Sequence, residues 1–144
     1  MSEEVMRAEH TRPAGASDAD VEGAGKMGEA LERLERARGH LYAFHQLMGE
    51  TDLLLDEVLD ALAHGGHDEL VAELRTDLVG RNVLDGRWTF QIVEEFDDTY
   101  WSRFREHERR VRDALVAGRR HVAEAEMKQR RRSRGHADHT AEPP

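Results

Sequence analysis

The stretch that decides the fold spans residues 27–48 and reads MGEALERLERARGHLYAFHQLM. Its apolar residues recur at alternating steps of three and four, a heptad pattern sustained for about three heptads. This apolar series consists of Met27, Ala30, Leu34, Ala37, Leu41, Phe44 and Met48. Glu29 stands four residues before Arg33, a spacing that supports an exposed helical face. The pattern predicts a helix over residues 20–48 that ends at Gly49.

Three further helices are predicted, over residues 52–64, 67–79 and 88–129, with Gly65-Gly66 separating the first two of them. The inward positions of the helix over 52–64 are predicted to be Leu54, Leu55, Val58 and Leu62. No alternating run of β-branched residues competes with the helical periods, so the predicted class is all-α. The predicted architecture is a four-helix up-down-up-down bundle, in which two long helices flank a short helical hairpin.

The two ends of the chain lack an apolar period. Residues 1–19 and 130–144 are therefore predicted to be disordered, which leaves one helical domain over 20–129. At a rise of 1.5 Å per residue, the predicted helix over 88–129 would extend about 15 Å beyond its neighbours. The apolar residues near its end, Val122 and Ala125, would either fray or meet a second chain, and the second of these alternatives predicts a homodimer.

Composition excludes several classes of protein. The chain has 144 residues and no cysteine, which excludes disulfides, thiolate catalysis and Cys-ligated zinc. The mean hydropathy of −0.77 and the lack of a long apolar run predict no membrane span. The first residues do not resemble a signal peptide, so a cytoplasmic location is expected. Basic residues are almost all arginine, which is typical of a bacterial source.

Charge is divided unevenly along the chain. The formal net charge of −9 separates into −14 over residues 1–101 and +5 over residues 102–144. The acidic balance argues against a dedicated nucleic-acid binder, because phosphate binding requires a basic surface. The arginine-rich end keeps open a role as a nucleic-acid accessory protein that uses this tail.

Known catalytic and metal-binding motifs are missing. The sequence contains no H-E-x-x-H, E-x-x-H or G-x-S-x-G, so a non-enzymatic protein without a cofactor is favoured. His64 and His67 flank Gly65-Gly66 with Asp68 beside them, which resembles a chelating spacing. Two histidines on a flexible turn are more often solvated than bound to metal, so no metal site is predicted there.

Polar residues also lie inside the apolar stripes of the two long predicted helices. They form a predicted buried network of Arg38, His45, Asp97 and His107. A buried charge is costly unless it is paired, so these residues should find partners. If the two helices are antiparallel, His45 falls near Asp97, with Tyr100 or Arg38 in support. Such a pair is either a structural contact that sets helix register or a candidate catalytic or ligand-binding centre of His45, Asp97 and Tyr100.

Six of the eight aromatic residues fall within residues 88–104, interleaved with acids. Trp101 is predicted at the edge of the apolar face of the helix over 88–129, together with Glu94, Asp98 and Glu108. An aromatic ring among carboxylates suits a cationic ligand or an arginine-bearing partner. The alternative is that Trp101 covers the helical hairpin while the acids are solvated.

These observations predict a small helical protein–protein interaction module, homodimeric, whose acidic-aromatic helix face docks a basic partner. The first alternative is a ligand- or metal-binding bundle, or an enzyme, centred on His45, Asp97 and Tyr100. The second is a nucleic-acid accessory protein.

Overall fold

A computed structural model of the protein describes residues 5–142, and the secondary structure of these residues is helical apart from one isolated bridge between Leu84 and Arg87. The elements in chain order are a 3₁₀ turn Ala8–His10, α1 Asp18–His64, α2 Asp68–Asp77, α3 Thr89–Phe96, a π-helical segment Asp97–Trp101, α4 Ser102–Val116 and α5 Val122–Arg131. The all-α class is thus confirmed. No helix within residues 5–142 combines the length and apolar character needed to cross a bilayer.

The helix α1 is one continuous element, so the predicted reversal at Gly49 and the separate helix over 52–64 are wrong. A capping box begins α1, because Ser17 Oγ accepts from the Asp20 backbone N–H and Asp20 Oδ2 accepts from the Ser17 N–H, each at 3.0 Å. A glycine inside a helix costs only about 1 kcal/mol, which a long packed helix can absorb. Thr51 does not cap a new helix; its hydroxyl donates to the Leu47 carbonyl at 2.7 Å within the same one.

The predicted helix over 88–129 is also wrong in its extent. α3, the π segment and α4 follow one another without a break, but the helix stops at Val116. Ala117, Gly118 and His121 then take positive φ angles of 55°, 73° and 59° before α5 begins. Positive φ cannot continue a right-handed helix. The overhang on which the homodimer prediction depended is therefore absent.

The chain divides into two compact units, which we call the terminal unit (residues 1–34 with 102–144) and the central unit (residues 35–101). The core of the terminal unit contains Val21, Val116 and Val122, all buried. α1 lies very close to α5 here, since a Cβ on Gly25 would come within 2.8 Å of the Ala123 Cβ.

Both ends of the chain make contacts within the terminal unit. Arg12 Nε donates to Glu126 Oε1 at 2.7 Å, which ties the N-terminal segment to α5. His10 Nδ1 lies 3.0 Å from Glu142 Oε1, and the hydrogen bond to His10 lowers the pKa of Glu142. The predicted disorder of 1–19 and 130–144 stays a prediction, and part of it (residues 1–4 and 143–144) lies outside the described residues.

In the central unit, α1 runs antiparallel to the segment from the end of α2 to the π segment. Four hydrogen-bonded pairs define this direction: Glu35 with Trp101, Arg38 with Asp97, His45 with Thr89, and Asp52 with Gly80. The buried apolar residues of this unit are Leu59 and Val93.

The sheltered face of α1 differs by about one residue from the predicted one. Positions shielded from solvent are Arg38, Leu41, His45, Met48, Asp52, Leu55, Leu59 and Leu62. Leu54 and Val58, predicted to point inward, are 57% and 38% exposed, and Phe44 is 41% exposed. Leu41, Met48, Leu55 and Leu62 were predicted to face inward and are shielded, and the sequence also placed Arg38 and His45 on this face. Asp52 and Leu59 were not predicted there.

Candidate functional site: a polar ladder on α1

Three polar residues follow one another at intervals of seven along the sheltered face of α1: Arg38, His45 and Asp52. We call this set the polar ladder. His45 Nδ1 lies 2.6 Å from Thr89 Oγ1, and Asp52 Oδ1 accepts from the Gly80 backbone N–H at 2.8 Å. A polar residue at a heptad position restricts the register of helix packing, because any shift leaves it without its partner.

Arg38 makes more side-chain hydrogen bonds than the other two residues of the polar ladder. Its Nε donates to Asp97 Oδ1 at 2.7 Å and its Nη2 to Asp97 Oδ2 at 3.0 Å, a bidentate pair. Tyr42 adds a third bond to the same carboxylate, because its hydroxyl donates to Oδ2 at 2.6 Å. The Arg38 and Asp97 side chains are only 27% and 18% exposed, so solvent screens this pair less than a surface pair.

Trp101 completes the surroundings of Arg38. The guanidinium carbon lies 3.9 Å from the centre of the indole ring, in cation–π geometry. The indole N–H donates to Glu35 Oε1 at 2.8 Å. The first and last residues of the π segment, Asp97 and Trp101, thus both hold Arg38. Short π-helical segments inside α-helices are frequently found at functional sites.

The electrostatics follow from this geometry. Hydrogen bonding from Arg38 lowers the pKa of Asp97, with a smaller contribution in the same direction from Tyr42. The hydrogen bond to Asp97 raises the pKa of Tyr42, because loss of its proton would place two anions side by side. Both carboxylate oxygens of Asp97 accept hydrogen bonds within the chain. This arrangement is the one expected of an ion pair that restricts the register of α1.

The structure does not bring together His45, Asp97 and Tyr100. His45 contacts Thr89, two turns from Asp97, and Asp97 contacts Arg38. Tyr100 is 58% exposed, and its ring stacks on Phe96 at 6.1 Å.

Of the predicted buried network, Arg38 and Asp97 meet, whereas His107 is exposed and belongs to the terminal unit. Tyr42 and Thr89 were missed from the sequence. The spacing of four between Arg38 and Tyr42 is a signal that could have found Tyr42, since such residues are neighbours on a helix.

The predicted docking residues occupy different surroundings. The ring of Trp101 already carries a cation from its own chain, Arg38. Glu108 belongs to the terminal unit and accepts from Arg112 Nε at 3.1 Å, with both side chains mostly shielded. Glu94 and Asp98 are exposed on the central unit.

The candidate metal ligands His64, His67 and Asp68 are not grouped as the ligands of a metal ion would be. His64 Nδ1 lies 2.9 Å from the Asp60 carbonyl, and His67 and Asp68 mark the start of α2. Among residues 5–142, no three His, Asp or Glu side chains are grouped as a metal ion would require.

No family model, curated protein or solved structure matches the chain.

Proposed function

We propose that this protein is a helical protein–protein interaction module whose central unit docks a basic partner. The observation that carries the proposal is the distribution of exposed large apolar side chains. Among residues 5–142 there are fourteen of these, and all but Val5 and Met127 lie in the central unit. A soluble protein rarely leaves so many apolar side chains uncovered on one unit unless that surface binds something.

A stripe on α1 supplies the best-defined part of this surface. It consists of Phe44, Leu47, Leu54 and Val58, with exposures of 41%, 57%, 57% and 38%. These residues are three, seven and four apart, which places them on one face of the helix. We call this set the apolar stripe. It lies on the side of α1 roughly opposite the polar ladder, so α1 has one face that holds the central unit together and another that stays uncovered.

The negative charge of the central unit indicates a basic partner. The central unit has 15 acidic and 5 basic residues, a net charge of −10. Glu50 and Glu57 lie three residues beyond Leu47 and Leu54, along one edge of the apolar stripe. An apolar helix face bordered by carboxylates complements an amphipathic helix with basic flanks. The apolar stripe therefore replaces the region around Trp101 as the proposed docking face.

A peptide-binding experiment tests this function. The probe is a fluorescently labelled amphipathic peptide of leucine and lysine, and the control is a peptide of the same pattern with glutamate for lysine. The full chain should raise the fluorescence anisotropy of the lysine peptide and leave that of the glutamate peptide unchanged. Equal binding of both peptides, or of neither, would contradict the proposal.

Variants locate the binding surface. Replacing Leu47 and Leu54 with serine should weaken binding of the lysine peptide by about tenfold or more, because two apolar contacts are removed. Val5→Ser is the matched control, since Val5 is 75% exposed but lies in the terminal unit. Wild-type affinity in the Leu47/Leu54 variant would show that the peptide binds elsewhere.

A further inference from the structure

We infer that the basic partner of the apolar stripe is the outer face of α5 from a second copy of this chain. This inference rests on the proposed docking function and names its occupant. The outer face consists of Met127, Lys128, Arg130 and Arg131, all of which are exposed. It combines one uncovered apolar side chain with three cations, the chemistry that complements an apolar stripe edged by glutamates.

The concentration of positive charge near α5 is unusual for this chain. Residues 127–137 contain five basic residues and no acidic one. Residues 39–74, which include the whole apolar stripe, contain no lysine or arginine at all. The cations that would neutralise the stripe must therefore come from another segment, and α5 with the residues after it is the most basic segment available.

The same charges argue against two apolar stripes packing on each other. Glu50 and Glu57 both lie along the edge of the apolar stripe, and no lysine or arginine within residues 39–74 offsets them. Pairing α1 with α1 of a second copy would bring these like charges together, which costs binding free energy. Docking of α5 on the apolar stripe avoids this repulsion between acidic residues and also covers the stripe.

α5 can offer its outer face without leaving its own terminal unit. Its inner face is anchored by the buried Val122 and by the ion pair of Glu126 with Arg12. Two copies that dock in both directions use the α5 and the stripe of each chain. Such a reciprocal arrangement closes at a dimer rather than growing into a fibre.

A charge-exchange experiment on the full chain tests the inference. The wild type should sediment at twice the 16.5 kDa of one chain at low salt and dissociate as salt rises. Lys128→Glu with Arg131→Glu, and separately Glu50→Lys with Glu57→Lys, should each weaken self-association by about tenfold or more. Mixing the two variants should restore a dimer, because each reversed surface then meets an opposite charge.

The matched control is Arg103→Glu with Arg109→Glu, which changes the net charge equally on exposed residues of α4. This control should dimerise like the wild type. A monomeric wild type that still binds the leucine–lysine peptide would overturn the inference and leave the docking function standing. Failure of the peptide to bind would overturn the docking function itself.

Two further results would overturn the inference. One is a wild-type dimer that the α5 variant leaves intact. The other is a pair of variants that do not associate when mixed, although circular dichroism shows each of them folded. Loss of RNA binding by the α5 variant together with an unchanged dimer would assign the basic face to nucleic acid instead.

Discussion

Replacing Asp97 with asparagine probes the tightest contact in the central unit. Asparagine keeps the shape of the side chain but removes its charge, and it presents one N–H₂ group where Asp97 has a second acceptor. Arg38 and Tyr42 donate three hydrogen bonds to the carboxylate, at 2.7, 3.0 and 2.6 Å. The asparagine oxygen can accept from one side only, so the donors on the other side face another donor.

The expected loss of stability follows from these contacts. A hydrogen bond to a charged group contributes roughly 1.5–3 kcal/mol, and burying an unpaired donor costs a similar amount. Arg38 and Asp97 are 27% and 18% exposed, so water can reach part of the pair and soften the loss. We therefore expect Asp97→Asn to reduce the free energy of unfolding of the central unit by about 2 kcal/mol.

Tryptophan fluorescence during urea unfolding measures this change. Both tryptophans, Trp88 and Trp101, lie in the central unit, so the fluorescence signal originates there. A loss of about 2 kcal/mol should lower the urea midpoint by about 1–2 M. Glu94→Gln is the matched control, an exposed carboxylate on α3 whose loss should change stability by less than about 0.5 kcal/mol. Equal midpoints for Asp97→Asn and wild type would refute the view that this ion pair stabilises the unit.

The pH dependence gives a second check on the same contact. The pKa of Asp97 is lower in the folded protein than its unfolded value of about 3.9. Its contribution to stability is therefore complete above that value and is lost as the pH falls through the folded pKa. The midpoints of wild type and Asp97→Asn should differ at pH 7 and converge in acid. A gap that persists unchanged at low pH would show that the loss has another cause.

Three further predictions concern other contacts. Gly25→Ala should destabilise the terminal unit by about 1–3 kcal/mol, because the added methyl group would meet α5. Gly28→Ala, where the added methyl group meets open space, should stabilise the protein by about 0.5–1 kcal/mol. Urea unfolding followed by far-UV circular dichroism distinguishes the two variants. Thr89→Val should cost about 1 kcal/mol in the fluorescence assay and shift the NMR signals of the His45 ring. Glu142→Gln should flatten the acid limb of thermal stability, since the lowered pKa of Glu142 makes its contribution disappear as the pH falls.

The sequence supported the helical class and part of the candidate site. Heptad spacing was sufficient to predict helices, and the cost of burying charge was sufficient to single out Arg38 and Asp97. Arg38 was expected only to support a pair of His45 with Asp97, whereas in the structure Arg38 itself pairs with Asp97 and His45 lies against Thr89. The helix end predicted at Gly49 was wrong. A glycine at a helix interior and a glycine at a helix end look alike in sequence. Only the tertiary contacts of α1, such as Asp52 with Gly80, distinguish them.

The proposed docking face was not predicted from the sequence for a related reason. Apolar residues on α1 were assigned to the core, yet the polar ladder takes those sheltered positions and leaves Phe44, Leu47 and Leu54 uncovered. Exchanging the two sets would place leucines in the core and charged groups on the surface, which is the more usual distribution. The chain instead leaves the leucines exposed with Glu50 and Glu57 at one edge, and the proposed docking of a basic partner would account for this. On that proposal, the polar ladder restricts the register of the central unit by hydrogen bonds, and the apolar side chains on the other face of α1 are left for binding.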